Sequence, residues 1–290
     1  MTSRLWRHRS GAGSSQGVLA AVLLALTSGV LSTGLLAHGD LHAQIAAATV
    51  RIARDPRNAA LYLERGGMYR AHREWRLALA DCDRALRLKP GCSGGRLCRG
   101  LTLADAGRHA AAERELTAFL EPYPEVVVAR VARARMRVAL NRPLEADPDY
   151  AAALARHPNP DWYLERAHAL RQADAPRAIA VLDEAIDKLG PLVTLEDYAI
   201  ELELAAARYA PALARVDRVL ATMPRSASWL VRRADILERS NRLADARQSY
   251  GDAIAAIDAL PPSRRHTRVI ADVLAQARAG LERTTPVGRP

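Results

Sequence analysis

An all-helical solenoid, built from short helix pairs repeated along the chain, is predicted by three observations. Pro56, Pro90, Pro124 and Pro158 stand 34 residues apart, a spacing that marks one supersecondary unit recurring rather than a single core. Between these prolines small residues return at fixed offsets: Gly66, Ala78 and Ala85, then Gly100 and Ala112, then Ala134, Ala146 and Ala153. The composition is poor in aromatics and rich in Ala, Leu and Arg, with almost no β-branched run, which favours helix throughout.

The first complete unit, residues 59–90, shows the plan most clearly. Tyr62, Arg65, Gly66 and Tyr69 share one stripe of a first helix, and Ala78, Cys82, Ala85 and Leu86 make the facing stripe of a second. His72, Arg73 and Glu74 leave room only for a tight turn, and Pro90 stops the second helix. Gly66, Ala78 and Ala85 are small where two backbones come close. The fourth unit opens WYLERAHAL at Trp162, an echo of LYLERGGMY at Leu61. Its second helix holds Ala178 and Ala185 one residue early, so its connection is one shorter. A fifth unit runs through Ala212, Val216 and Leu220 to Pro224, and a sixth holds Ala234, Ala246, Tyr250 and Ala253.

This pattern resembles the tetratricopeptide repeat (TPR) family, over roughly residues 40–282. Tyr62, Gly66, Tyr69, Ala78, Ala85 and Pro90 match its signature, with Arg65 where leucine is usual and Cys82 where an aromatic is usual. The fifth unit departs most, with Ile200 at a Gly or Ala slot and Glu203 at a Tyr slot. The resemblance implies a right-handed superhelix of about six helix pairs, with a partial N-terminal unit and a C-terminal capping helix.

The flanks read differently from the repeats. Arg4, Arg7 and Arg9 precede an uncharged, mostly apolar stretch from Gly17 to Ala37, the order of an export signal. Two readings stay open for residues 1–37: a signal cleaved after Ala37, or an uncleaved membrane anchor with its N-terminus inside. The solenoid is expected over 38–283 and a disordered tail over 284–290. Residues 38–58 look like half a repeat, with Asp40 as N-cap and an apolar stripe at Ile45, Ala48 and Ile52. Asp147-Pro148 is expected to restart the second helix of the third unit. Ser263 is expected to cap a last helix with Ile270, Val273, Leu274, Ala277 and Leu281 on its inner stripe.

Nothing in the sequence has the pattern of an enzyme. It holds no Gly-rich phosphate loop, GxSxG or HExxH motif, so no catalytic residue, metal ligand or cofactor is assigned. His38 and His42 flank Asp40 in the one metal-like cluster, read here as exposed histidines around a cap. Trp75, Trp162 and Trp229 are read as packing residues. Cys82 falls at a core slot, and the pair close enough in sequence for a disulfide is Cys92 with Cys98. Removing Arg4, Arg7 and Arg9 from the net +10 leaves +7 for the rest, a balance that suits anionic partners. Nucleic acid is not expected, because no aromatic stacking face recurs along the units.

Function is therefore expected in a non-enzymatic scaffold of the cell envelope, periplasmic, extracellular or attached to the inner membrane through residues 17–37. On the resemblance, first helices line a concave groove that takes a peptide or protein client. One row of groove positions reads Leu63, Leu97, Val131 and Leu164, continuing to Asp197 and Val231. The basic members of the neighbouring rows are Arg70, Arg135, His168 and Arg171, and carboxylates follow at Glu201, Asp235 and Glu238. An alternative is a charge-driven binder of anionic envelope surfaces or polymers. The positions that would clamp a terminal carboxylate in chaperone-docking relatives are Leu63, Gly67, Cys98, Val128 and Ala132, none of which can make a charge-assisted bond.

Overall fold

A computed structural model describes residues 36–265 and 267–285. Nearly all of residues 1–37, read from the sequence as an export signal or anchor, and the tail from residue 286 lie outside the described residues. Among the described residues there are fifteen helices and no strand, and none of these helices is long and apolar enough to cross a membrane. The chain is all-α and of solenoid type, with successive helices packed on one another within each of two compact bodies, divided at Asp149–Tyr150.

The N-terminal body begins with α1 (Leu36–Arg54), followed by repeat one, α2 (Ala59–Ala71) and α3 (Trp75–Leu88). Repeat two is α4 (Ser93–Asp105) and α5 (His109–Leu120), and repeat three is α6 (Val127–Ala139) with α7 (Pro143–Arg156). The small slots are buried as the sequence requires: Gly66, Ala78, Ala85, Ala112, Ala134 and Ala146 all lie at helix crossings. A Cβ on Gly66 would sit 3.3 Å from the Asp81 Cβ, so α2 and α3 approach as closely as a glycine allows.

Four local expectations are corrected. The first helix starts at Leu36, not at an Asp40 cap; Asp40 lies inside it and accepts from Gln44 Nε2 at 3.0 Å. Its stripe of Ile45, Ala48 and Ile52 does face inward. Pro148 does not restart a helix but sits within a continuous α7. Only the Leu144 carbonyl loses its intrahelical partner, on a side where that residue is exposed to water, while Asp147 and Asp149 on either side of the proline are buried and hold the helix in place. The disulfide joins Cys82 on α3 to Cys98 on α4, with Cα atoms 5.8 Å apart, and Cys92 is the free thiol. Cys92 is the N-cap residue of α4; six residues along a helix is about 9 Å, beyond the reach of a disulfide. Cys82, placed at a core slot by sequence, is there and is also cross-linked.

The C-terminal body holds repeat four, α8 (Pro160–Leu170) and α9 (Ala175–Leu189), and repeat five, α10 (Val193–Ala205) and α11 (Tyr209–Thr222). Repeat six is α12 (Ala227–Arg239) and α13 (Leu243–Asp258), followed by one turn, α14 (Pro262–Arg265), and the capping helix α15 (Arg268–Thr284). The fourth correction concerns this last helix. Its cap is Thr267, whose hydroxyl accepts from the Ile270 N–H, while Ser263 lies in α14. The helix includes Thr284, which is buried and whose carbonyl accepts from Arg247. The predicted inner stripe holds, with Ala277 fully buried and Ile270, Val273, Leu274 and Leu281 half-buried. Trp162 and Trp229 pack against the body's two apolar clusters, as their packing role requires.

The turns inside the repeats carry a second periodicity. Arg73, Gly107, Asn141, Ala207 and Asn241 each take a positive φ between the two helices of their repeat. Repeat four has none, in keeping with the shorter count from Ala167 to Ala178. Glycine and asparagine tolerate that conformation; arginine and alanine do so at a cost.

Candidate partner-binding face

Charge pairing inside the repeats comes first, because it decides which charges remain for a partner. At the position where Arg65 replaces the usual leucine, arginine recurs at Arg99, Arg133, Arg166 and Arg233. Arg65 holds Asp81 through two bonds of 2.8 and 2.7 Å, and that carboxylate raises the guanidinium's pKa. Arg133 makes the same fork to Asp149, at 2.7 Å on each side. Asp149, only 1% exposed, also receives Arg130 and Arg137. Arg137 and Arg142 in turn share Glu113. These arginines serve the interior, and a list of residues one repeat apart would have shown their row in the sequence.

In the N-terminal body the apolar groove row is not an open floor. Leu63, Leu97 and Val131 are 6%, 1% and 3% exposed. First helices of successive repeats touch each other, α2 on α4 and α4 on α6, and that packing takes up the row. The expectation of an exposed apolar floor is corrected at these three positions. Arg70 spans successive repeats to Asp105 on α4 at 2.9 Å. Arg135 is exposed on α6 and also has an interaction of its own within the chain.

The C-terminal body brings three of the expected residues together. Leu164, His168 and Arg171 follow one line on and just beyond α8, half-buried, exposed and exposed in turn. The His168 ring lies nearly parallel to Tyr198 of α10, with centroids 4.2 Å apart. The Tyr198 hydroxyl is buried, with the Arg171 guanidinium as its polar neighbour. Burial pushes its pKa up, the nearby Arg171 guanidinium opposes the rise, and Glu201 adds to it. Tyr198 was not singled out from the sequence, since nothing in its spacing distinguishes a stacking partner from a core tyrosine.

Most carboxylates expected to recruit basic partner residues are already engaged. Asp197 pairs with Arg232 at 3.0 Å, and Asp235 and Glu238 both accept from the Tyr250 hydroxyl. Glu238 also binds Arg283 of the capping helix, which lowers the carboxyl's pKa. Val231, the sixth member of the apolar row, is buried. Glu201 remains exposed. Among the described residues no three His, Cys, Asp or Glu side chains gather as metal ligands would.

This architecture defines a helical-repeat solenoid. Residues 199–263 match the tetratricopeptide repeat family model, and the helix pairs described above share its plan. The C-terminal part of a TPR repeat-containing protein from Cytophaga hutchinsonii superposes with a TM-score of 0.61 at 11% identity, covering 83% of this chain and 96% of that one. PilF of Pseudomonas aeruginosa superposes at 0.51 with 18% identity, covering 71% and 92% respectively. At such identities the likeness is one of fold. No curated protein matches the chain.

Proposed function

We propose that this chain is a protein–protein interaction scaffold, the role its repeat fold supports, that it works in the cell envelope, and that a client peptide or protein segment lies across the first helices of repeats four and five. The observation that carries the reading is the exposed His168–Arg171 edge beside Tyr198. Its aromatic platform and exposed cation are unlike the internally paired arginines of the other first helices. Leu164 supplies an apolar margin. An acidic or hydrogen-bond-accepting client segment fits this edge, with direction and on-rate set by Arg171 and affinity by ring and Leu164 contact.

Photo-crosslinkers at positions 168 and 171 should capture a discrete client from an envelope fraction. Position 225, exposed in the loop before α12, should not. Equal yields at all three positions would refute the site.

Export is supported by the basic and apolar order of residues 4–37 and by the Cys82–Cys98 bond, since such bonds persist in oxidising compartments. Alkylation in intact cells should label one thiol, Cys92. Labelling of all three cysteines would place the protein in a reducing compartment. The mass of the mature N-terminus separates a cleaved signal from a retained anchor.

A further inference from the structure

A second surface lies on the outer side of repeat one. Helix α3 buries Ala78, Cys82 and Ala85 and turns Arg76, Leu77, Arg84 and Arg87 outward. Arg73 precedes this line and Lys89 follows it, both exposed. The line runs the length of the helix, about 20 Å at 1.5 Å per residue. Its two aspartates turn away, Asp81 to Arg65 and Asp83 to Arg99. Arg84 leans over the Tyr62 ring, and none of these cations pairs with a carboxylate among the described residues. Residues 1–39 contain no Asp or Glu, so the preceding segment cannot neutralise them either.

The corresponding faces elsewhere differ. The outer side of α9 carries Asp183 and Asp187, and that of α13 carries Gln248, Asp252 and Asp258. The unpaired cationic line of α3 thus has no counterpart on α9 or α13. Some half-exposed arginines elsewhere are paired, as at Arg70 and Arg142.

We infer that this face of α3 docks on an anionic lipid bilayer. It is a straight line on an outer helix with no concavity to hold a peptide, which suits a plane of headgroups. Leu77, 47% exposed between Arg76 and Arg84, can reach the boundary between headgroups and acyl chains, as the apolar side of an interfacial helix does. The inference does not depend on the client edge of repeats four and five, and either can fail alone.

The test is flotation of the full chain with phosphatidylcholine vesicles, with and without phosphatidylglycerol. Apolar residues 17–37 bind both kinds of vesicle, so the quantity read is the excess on the anionic ones. A basic side chain near such a surface adds on the order of fivefold in binding. R76E/R84E/R87E should therefore lose the excess, on the order of a hundredfold in affinity. R76Q/R84Q/R87Q should lose less, and both losses should appear with unchanged melting. R225E/R239E/R264E, an equal charge change on exposed residues elsewhere, should keep the excess. The wild-type excess should also fall between about 0.05 M and about 0.5 M salt as the Debye length shrinks. No excess in the wild type, or an equal loss in the two glutamate variants, would overturn the assignment; the first result with capture of an acidic protein at α3 would assign the face to that protein.

Discussion

Repeats three and five solve one problem with opposite charges. In repeat three the first helix carries Arg130, Arg133 and Arg137, and the second answers with the buried Asp149. In repeat five the equivalent positions read Glu196, Ala199 and Glu203 on the first helix and Arg215 on the second. Glu196 receives Arg215 at 3.4 Å and Arg218 at 2.8 Å. Glu203 faces Arg208 at 3.1 Å and Arg215 at 3.5 Å, while Asp183 of α9 takes Arg215 at 2.6 Å. The comparison teaches that the seam between the helices of a pair can hold ions of either polarity, provided the facing helix carries the opposite sign. Exposure of only 0–4% at Asp149, Glu196, Glu203 and Arg215 makes a change on one helix alone expensive.

The largest expected effects come from removing the central ion of each network. Asp149→Ala would leave three guanidiniums around an empty centre, and Arg215→Ala would leave Glu196 and Glu203 buried with less compensation. Each should cost about 3–5 kcal/mol, measured by urea unfolding, with hydrogen exchange rising first in the affected repeat. A loss under about 1 kcal/mol in either would mean the ions are no better placed than surface pairs, and the equivalence of the two repeats would fail.

The small-residue slot gives the next test. Repeat three has Ala134 where repeat five has Ile200, and both are fully buried. Ala134→Ile should overpack and cost about 1–3 kcal/mol. Ile200→Ala should open a cavity and cost about 2–5 kcal/mol. If each repeat accepted the other's residue without loss, the helix separation would be adjustable and the slot would not define the pair.

These two repeats also show what the sequence could and could not disclose. The helix pairs were legible because proline spacing and small slots follow directly from backbone geometry. Repeat five looked degenerate only against an apolar pattern; Glu203 becomes regular once Arg215 is read as its partner across the seam. That reading needs the two helices side by side, although the recurrence of arginine at the Arg65 position was in plain view. The Cys82–Cys98 bond depended likewise on which helix faces which, and sequence proximity favoured the wrong pair. The groove row failed at Leu63, Leu97 and Val131 because a position on the inner side of a first helix can be buried by the next first helix. His168 and Arg171 remained exposed because Tyr198 supplies a flat ring that supports His168 without covering it.

The smallest effect concerns the turn. The left-handed position between the helices is Asn141 in repeat three, with φ of 58°, and Ala207 in repeat five, with φ of 54°. Asparagine offsets the conformation through its short polar side chain; alanine has no such compensation and retains the clash between its Cβ and the following carbonyl. Glycine removes the clash but adds freedom to the unfolded chain. The balance should favour Ala207→Gly by about 0.5–1 kcal/mol, while Asn141→Gly should lie within about 0.5 kcal/mol of zero or be mildly destabilising. Ala207→Asn should also gain, by a smaller amount. Unfolding free energies of the three variants against the parent decide the matter. A gain in Ala207→Gly without one in Asn141→Gly would locate unrelieved strain in repeat five alone, beside the Glu203–Arg208 pair that the turn positions. Equal responses at both sites would show that the asparagine contributes nothing and that the two turns, unlike the two charge networks, are energetically the same.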